Sequence, residues 1–165
     1  MFQLKLISKE AIPNALQKAE RYRLLNEPVL AESICQDILD IEPDNHQALV
    51  TMLLAITDQF GRHASADVKR ARQLIPLMNN EYDRLYYSGI IYERQGVAIL
   101  NRETIEGQFA AYERLTMAME HFEKAEVIRP GGNDDSILRW NTCARVIRSH
   151  NLQPRYEQYG ELPLE

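Results

Sequence analysis

The sequence predicts an all-α protein, an α-solenoid of stacked antiparallel helix pairs. In three segments a small or apolar residue is followed by apolar residues four, seven and ten positions on, and then by a proline. These offsets place the apolar residues on one stripe of a helix, and the proline marks where the helix must end. Recurrence at such a period is typical of stacked helical hairpins, each of which buries its neighbour's apolar face. The repeated positions are Ala31, Cys35, Ile38, Ile41 and Pro43; Ala64, Val68, Ala71, Leu74 and Pro76; and Ala118, Phe122, Ala125, Ile128 and Pro130.

This pattern resembles the tetratricopeptide repeat (TPR) over roughly residues 12–130, because small and aromatic residues in suitable register also precede the first and third copies, and apolar residues precede the second. The upstream residues are Ala15, Ala19 and Tyr22; Leu49, Leu53 and Ile56; and the segment 85–96, LYYSGIIYERQG. The resemblance implies a right-handed, TPR-like solenoid in one domain, 1–150, with repeats at about 12–45, 46–79 and 82–130. A C-terminal capping helix at 134–149 and a tail at 151–165 complete the chain. An ordinary helical bundle with coincidental spacing is the alternative.

The first hairpin is predicted from two proline signals. A helix from about residue 12 to residue 25 carries Pro13 in its opening turn, where the missing N–H costs nothing. Pro28 opens the second helix, which ends before Pro43. Ahead of both, residues 1–7 alternate apolar and polar side chains, a weak signal for a short extended arm.

The second hairpin is predicted from a cap and a glycine. Asp44 or Asn45 caps a helix over roughly 46–60, and Gly61 is expected to stop it. Ser65 or Asp67 is then expected to cap a basic helix that runs to about residue 77.

The third hairpin is enlarged, since its proline lies 54 residues after the previous one, against a spacing of 33 between the first two. The apolar stripes continue its first helix to about Leu100 and begin the next at Thr104, a plausible N-cap. An antiparallel pair projecting around residues 101–107 is therefore predicted. It serves either as a dimer contact or partner handle, or as a shield for the C-terminal helix.

The capping helix is expected over about 137–149, with a polar outer face. Its buried stripe comprises Ile137, Trp140, Ala144 and Ile147, and its outward residues are Arg139, Arg145 and Arg148. The tail lacks helical periodicity and is expected either to lie along the stack or to be mobile.

Composition agrees with a single globular domain of 165 residues, 45% hydrophobic and 26% charged. No signal peptide is visible, and the longest nearly apolar run, 48–57, is too short to cross a bilayer. Two cysteines in separate repeats suit a reducing compartment, and Cys35 occupies a packing position. The expected location is the cytoplasm, with no membrane association.

No catalytic, cofactor or metal motif is found in the sequence. The four histidines fall on different elements without the spacing of a metal site, and no phosphate-binding or nucleophile motif occurs. A net charge of −5 and the absence of a basic stripe disfavour nucleic acid as a partner. The sequence thus predicts a protein that is not an enzyme.

The resemblance also implies where a partner binds, because the first helix of each TPR hairpin lines the concave face. Carried over by register, this gives an apolar floor edged by mostly acidic groups. The alternative is that the C-terminal helix or the tail buries several of these residues. The predicted groove residues are Leu16, Glu20, Arg23, Val50, Leu54, Asp58, Asp83, Tyr86, Ile90 and Glu93.

Such a groove suits an extended or helical peptide with apolar and basic anchors. The expected function is a cytoplasmic protein-binding adaptor or chaperone-like module. The competing hypotheses are a structural subunit that forms a homodimer through the long third hairpin, and an enzyme whose groups converge only in space.

Overall fold

A computed structural model describes residues 2–155, except for the side chains of 62–66, and shows an all-α protein. This stretch forms seven α-helices and two short 3-10 turns, at Lys9–Ala11 and Ile75–Leu77, and no strand. The helices are α1 (Ile12–Leu24), α2 (Pro28–Ile41), α3 (His46–Thr57), α4 (Phe60–Leu74), α5 (Glu81–Leu100), α6 (Ile105–Val127) and α7 (Asp135–Ser149).

Side-chain oxygens of Asn45, Asn80 and Thr104 cap the starts of α3, α5 and α6. The side-chain oxygen of Asn45 accepts a hydrogen bond from the backbone N–H of Ala48 at 2.9 Å. The hydroxyl oxygen of Thr104 does the same for Gly107 at 3.0 Å. Each cap satisfies one of the N–H groups that a helix start leaves unpaired, so the predictions of Asn45 and Thr104 as caps are confirmed.

The Asn45 cap makes the first testable prediction. Replacing Asn45 with alanine is expected to lower the free energy of unfolding by about 1 kcal/mol, because the N–H of Ala48 loses its acceptor. Urea unfolding followed by circular dichroism measures the change, and Asn45→Asp, which retains an acceptor, is the control. An equal loss in both variants would contradict the capping role.

The predicted boundary between α3 and α4 is wrong. Helix α3 ends at Thr57 and α4 begins at Phe60, so Gly61 lies in the first turn of α4 and does not stop α3. Phe60 is only 2% exposed, and the chain turns early enough to place this ring in the core. The amide of Gln59 donates to the carbonyl of Ala55 at 3.1 Å, which satisfies a group at the end of α3.

Each helix packs against the next one along the chain, and the α5–α6 contact is the most extensive. Helix α1 additionally contacts α3, and α3 contacts α5. One apolar cluster joins α1, α2 and the start of α3, while a larger one extends from α3 to α7. Most of the repeated apolar positions are in the core: Ala31, Cys35, Ile38, Ala71, Ala118, Phe122 and Ala125 are fully buried, whereas Ile128 is 43% exposed.

The third hairpin has the predicted length, with 20 residues in α5 and 23 in α6. Residues 101–106 at its tip are exposed, and Ile105 is 74% exposed. After α7 the chain continues toward the start of α6. Leu152 is buried, and the Arg155 guanidinium lies 5.7 Å from the ring centroid of Phe109. The rest of the predicted tail, 156–165, lies outside the described residues.

The N-terminal arm is neither helix nor strand from residue 2 to residue 7, and Met1 lies outside the described residues. Ile7 packs against the apolar cluster of the first hairpin. Phe2, Leu4 and Leu6 are 103%, 83% and 76% exposed. The arm is thus attached at Ile7 and carries three unburied apolar side chains.

Candidate binding groove

An open cleft of about 570 Å³ lies between α1, α3 and α5. It is called the inner groove below. Its volume falls within the range of ligand sites, about 300–1,000 Å³. The lining residues are Glu20, Arg23, Leu24, His46, Gln47, Val50, Thr51, Leu54 and Tyr87.

Four of the ten predicted groove residues line this cleft: Glu20, Arg23, Val50 and Leu54. They come from the second half of α1 and from one face of α3. Val50 and Leu54 are one helical turn apart and half-buried, so each leaves part of its apolar surface accessible to a ligand. Leu16, one turn before Glu20, is buried beneath the cleft.

The groove has an apolar edge as well as an apolar floor. Leu24 is 82% exposed, although it follows Glu20 by one turn and faces the same cleft. The half-buried ring of Tyr87 adds an aromatic surface from α5. Leu24 and Tyr87, with Val50 and Leu54, therefore offer apolar contacts to a ligand that reaches across the three helices.

Ion pairs connect the helices around the groove. The Asp58 carboxylate, at the end of α3, pairs with Arg23 Nε of α1 at 2.8 Å and with Arg94 Nη1 of α5 at 3.2 Å. His46 Nε2 lies 3.5 Å from Asp83. Asp58 and Asp83, both predicted groove residues, are thus held by partners on neighbouring helices.

Glu20 differs from these paired acids. Its carboxylate accepts a hydrogen bond from the neutral side-chain amide of Gln47 at 3.0 Å, and the residue is exposed. The amide has no net charge, so this hydrogen bond does not offset the charge of the carboxylate. Glu20 therefore gives the groove an acidic contact for a basic ligand group.

The three remaining predicted residues, on α5, do not line the cleft. Ile90 is fully buried, Glu93 is 5% exposed and Tyr86 is half-buried. The Tyr86 ring lies 5.8 Å from that of Tyr82 and 5.9 Å from that of Phe122, measured between centroids. The inner groove accordingly does not extend over the middle of α5.

Arg139 of α7 points inward, against the prediction that it lies on the outer face. Its Nη1 donates to Glu93 Oε1 at 3.2 Å. Burial raises the pKa of Glu93, and the positive charges of Arg139 and Arg94 oppose that rise. Arg145 and Arg148 are exposed, as predicted. Trp140 is half-buried and donates its Nε1–H to Glu123 at 2.9 Å.

Sequence reasoning missed five lining residues: Leu24, His46, Gln47, Thr51 and Tyr87. Helical spacing contains a signal for three of them. Leu24 follows Glu20, and Tyr87 follows Asp83, by four positions, while Gln47 precedes Val50 by three. Extending each predicted stripe by one turn would have found them.

Neither cysteine is a candidate nucleophile, since each thiol is completely buried. Burial raises the pKa of Cys35 and of Cys143 to about 12, so both stay protonated at neutral pH. Across residues 2–155, with the side chains of 62–66 set aside, no group of three His, Cys, Asp or Glu residues is arranged to hold a metal ion. Within the same part of the chain, no helix has both the length and the apolar character needed to cross a bilayer.

A smaller cleft of about 210 Å³ lies among α4, α5 and α6. The Arg72 guanidinium lies 5.0 Å from the Tyr92 ring centroid at this cleft, and the His121 ring lies 5.1 Å from the same ring at a tilt of 39°. Its volume is below that of ordinary ligand sites. The inner groove is the stronger candidate because it is larger and combines apolar and acidic contacts.

No protein-family model, curated protein or solved structure matches this chain. Fold and site together define an all-α protein with an open groove across three of its helices.

Proposed function

We propose that this protein is a non-enzymatic module that binds a peptide segment of another protein in the inner groove, as an adaptor or a chaperone-like protein. The observation that carries the proposal is the groove itself. An accessible apolar floor and edge lie beside the charge of Glu20, across helices tied together by Asp58. Peptide-binding grooves combine apolar pockets for anchor side chains with charges that orient the ligand.

The arrangement we propose for the helices is a right-handed, TPR-like α-solenoid. Two observations support it. Helices pack against their sequence neighbours, and the first helices of successive hairpins, α1, α3 and α5, contact one another. In a TPR array those first helices line the concave face, and the inner groove of this chain is lined by residues of the same three helices.

The proposed location is the cytoplasm. Cys35 and Cys143 are both free thiols in the core. Unpaired buried thiols fit a reducing compartment. The proposed ligand is an extended or helical peptide with apolar anchors and at least one basic residue, which meets the charge of Glu20.

Leu24→Glu tests the proposed function, because Leu24 is highly exposed and its replacement leaves the core intact. Peptides selected from a displayed random library against the wild-type protein are expected to contain apolar and basic residues. Their affinity for Leu24→Glu should fall at least about tenfold, since a charge replaces an apolar contact. Fluorescence anisotropy with labelled peptides measures the affinity.

Leu77→Glu is the matched control, since Leu77 is 53% exposed and does not line the groove. It should bind the selected peptides as the wild type does. Peptides that bind Leu24→Glu and the wild type equally would show that the inner groove is not their site.

The exposure of Ile105 supports a second candidate function, self-assembly through the third hairpin. It is a large apolar residue, 74% exposed, at the tip between α5 and α6. If this hairpin forms a homodimer contact, Ile105→Glu will dissociate the dimer while Leu24→Glu leaves it intact. Sedimentation velocity of the two variants measures whether each is a monomer or a dimer.

A further inference from the structure

The N-terminal arm has the same chemistry that the inner groove is suited to bind. Phe2, Leu4 and Leu6 alternate with Gln3 and Lys5. In an extended chain such alternation puts the three apolar side chains on one face and the polar ones on the other. The arm therefore carries apolar anchors together with a basic residue.

The arm's apolar face is without cover in the single chain. Phe2, Leu4 and Leu6 are at least 76% exposed, although the next residue, Ile7, packs against the first hairpin. Burying one such side chain stabilises a complex by about 1.5–3 kcal/mol. Docking of the arm against an apolar surface is therefore favourable in free energy.

The dimensions of arm and groove agree. Five extended residues, 2–6, span about 17 Å at about 3.3 Å per residue. Helix α3, which contributes five of the nine lining residues, has 12 residues and is about 18 Å long at 1.5 Å per residue. An extended arm laid along α3 can place its apolar side chains near Val50 and Leu54.

The charges agree as well. Lys5 is the cation of the arm, and Glu20 is the groove acid that is held by an amide rather than by a cation. Opposite charges at the rim of an interface favour correct orientation and faster association. Lys5 thus meets the ligand requirement inferred from the groove alone.

A second copy of the chain is the better source of this ligand. Ile7 packs against the apolar cluster that includes Ile12, at the start of α1, whereas the groove residues of α1 lie in its second half. Leu24 lies about 18 Å along α1 from Ile12, about the whole stretched length of the arm, so within the same chain only the far end of the arm reaches Leu24. The exposure of Phe2, Leu4 and Leu6 also shows that the arm is not docked in the groove of its own chain.

We infer that residues 2–6 of one copy bind in the inner groove of a second copy, so that the protein forms an arm-exchanged dimer and occupies its own peptide site. This inference rests on the proposed function, because it uses the same groove. An external peptide must then compete with the arm.

The test uses the full chain and two single variants. Leu4→Glu damages the arm, and Leu24→Glu damages the groove, both at highly exposed positions. Sedimentation equilibrium should show dimers of the wild type and a dimer dissociation constant at least about tenfold higher for each variant. Mixing the two variants should form a heterodimer, because one still has its groove and the other still has its arm.

A labelled synthetic peptide of residues 2–8 provides the second measurement. It should bind Leu4→Glu, whose groove is intact and vacated, and should bind Leu24→Glu at least about tenfold more weakly. If the wild type is monomeric and the peptide binds only Leu4→Glu, the arm docks within its own chain and exchange is wrong. If the mixture forms no heterodimer, or Ile105→Glu alone dissociates the dimer, exchange is also wrong.

Failure of this inference is separable from failure of the proposed function. If library-selected peptides bind in a Leu24-dependent way while the arm peptide does not bind, the groove is a peptide site for other proteins and the arm is not its ligand. If neither kind of peptide depends on Leu24, both proposals are wrong.

Discussion

Replacing Arg139 with methionine is expected to lower the free energy of unfolding by about 3 kcal/mol at neutral pH. Breaking a buried ion pair from one side costs about 3–5 kcal/mol, and Arg139 is partly exposed, so the lower end applies. Glu93 is 5% exposed, and its only hydrogen-bonding cation among the described residues is Arg139. Methionine keeps the apolar stem but leaves the carboxylate without that charge.

The loss of unfolding free energy in Arg139→Met should depend on pH, and the ionisation of Glu93 determines its direction. Its folded-state pKa already lies above the ordinary value of 4.5 because of burial, and removing Arg139 raises it further. An acid with a raised folded-state pKa stabilises the fold when protonated, and this contribution is lost as pH rises above the unfolded-state value. Arg139→Met should therefore lose less stability near pH 5 than near pH 7 in urea unfolding.

Two controls isolate the charge. Adding Glu93→Gln to Arg139→Met removes the unpaired carboxylate and should restore most of the loss at pH 7. Arg148→Met changes an exposed arginine of the same helix and should cost less than about 0.5 kcal/mol. Equal losses in the two arginine variants, or no rescue by Glu93→Gln, would contradict the role given to the pair.

Replacing Gly89 with alanine is expected to cost about 2 kcal/mol, although alanine favours a helix interior by about 1 kcal/mol. A Cβ built on Gly89 lies 2.5 Å from Cε1 of the Phe122 ring. That ring is completely buried and packs against Tyr86, so moving it away disturbs packed neighbours. Close approach of α5 and α6 therefore depends on the missing side chain of Gly89.

Gly61→Ala is the matched control, because Gly61 is exposed in α4 and a Cβ there has no atom within 4 Å. It should stabilise the protein by about 0.4–1 kcal/mol. In a Phe122→Leu background the cost of Gly89→Ala should shrink, since the ring atoms are gone. A stabilising Gly89→Ala would show that α6 can shift without loss.

The helical core could be predicted from the sequence because it depends on local periodicity. Ala118, Phe122 and Ala125 recur at four- and three-residue spacing, and all three are buried. The caps at Asn45 and Thr104 were predictable for a similar reason, since a cap involves only residues within one turn. The predicted α3–α4 boundary was wrong because burial of Phe60, which depends on residues far away in the chain, outweighed the local signal of Gly61.

The candidate groove was predictable in α1 and α3 and not in α5. Glu20, Val50 and Leu54 line the open cleft, as their register on α1 and α3 predicts. Ile90 and Glu93 have a similar register on α5, yet Ile90 is fully buried and Glu93 pairs with Arg139 of α7. Their burial depends on how distant segments pack, and no spacing within α5 contains that information.

By itself the sequence determined the all-α class, the helical stripes and the long third hairpin, because these follow from side-chain spacing, prolines and caps within a few turns. Only the tertiary structure decided that Arg139 turns inward to Glu93 and that Asp58 joins α1 to α5. The physical reason is the distance along the chain between the residues that interact. Helix formation is decided among residues three and four apart, whereas burial and ion pairing are decided between residues tens of positions apart.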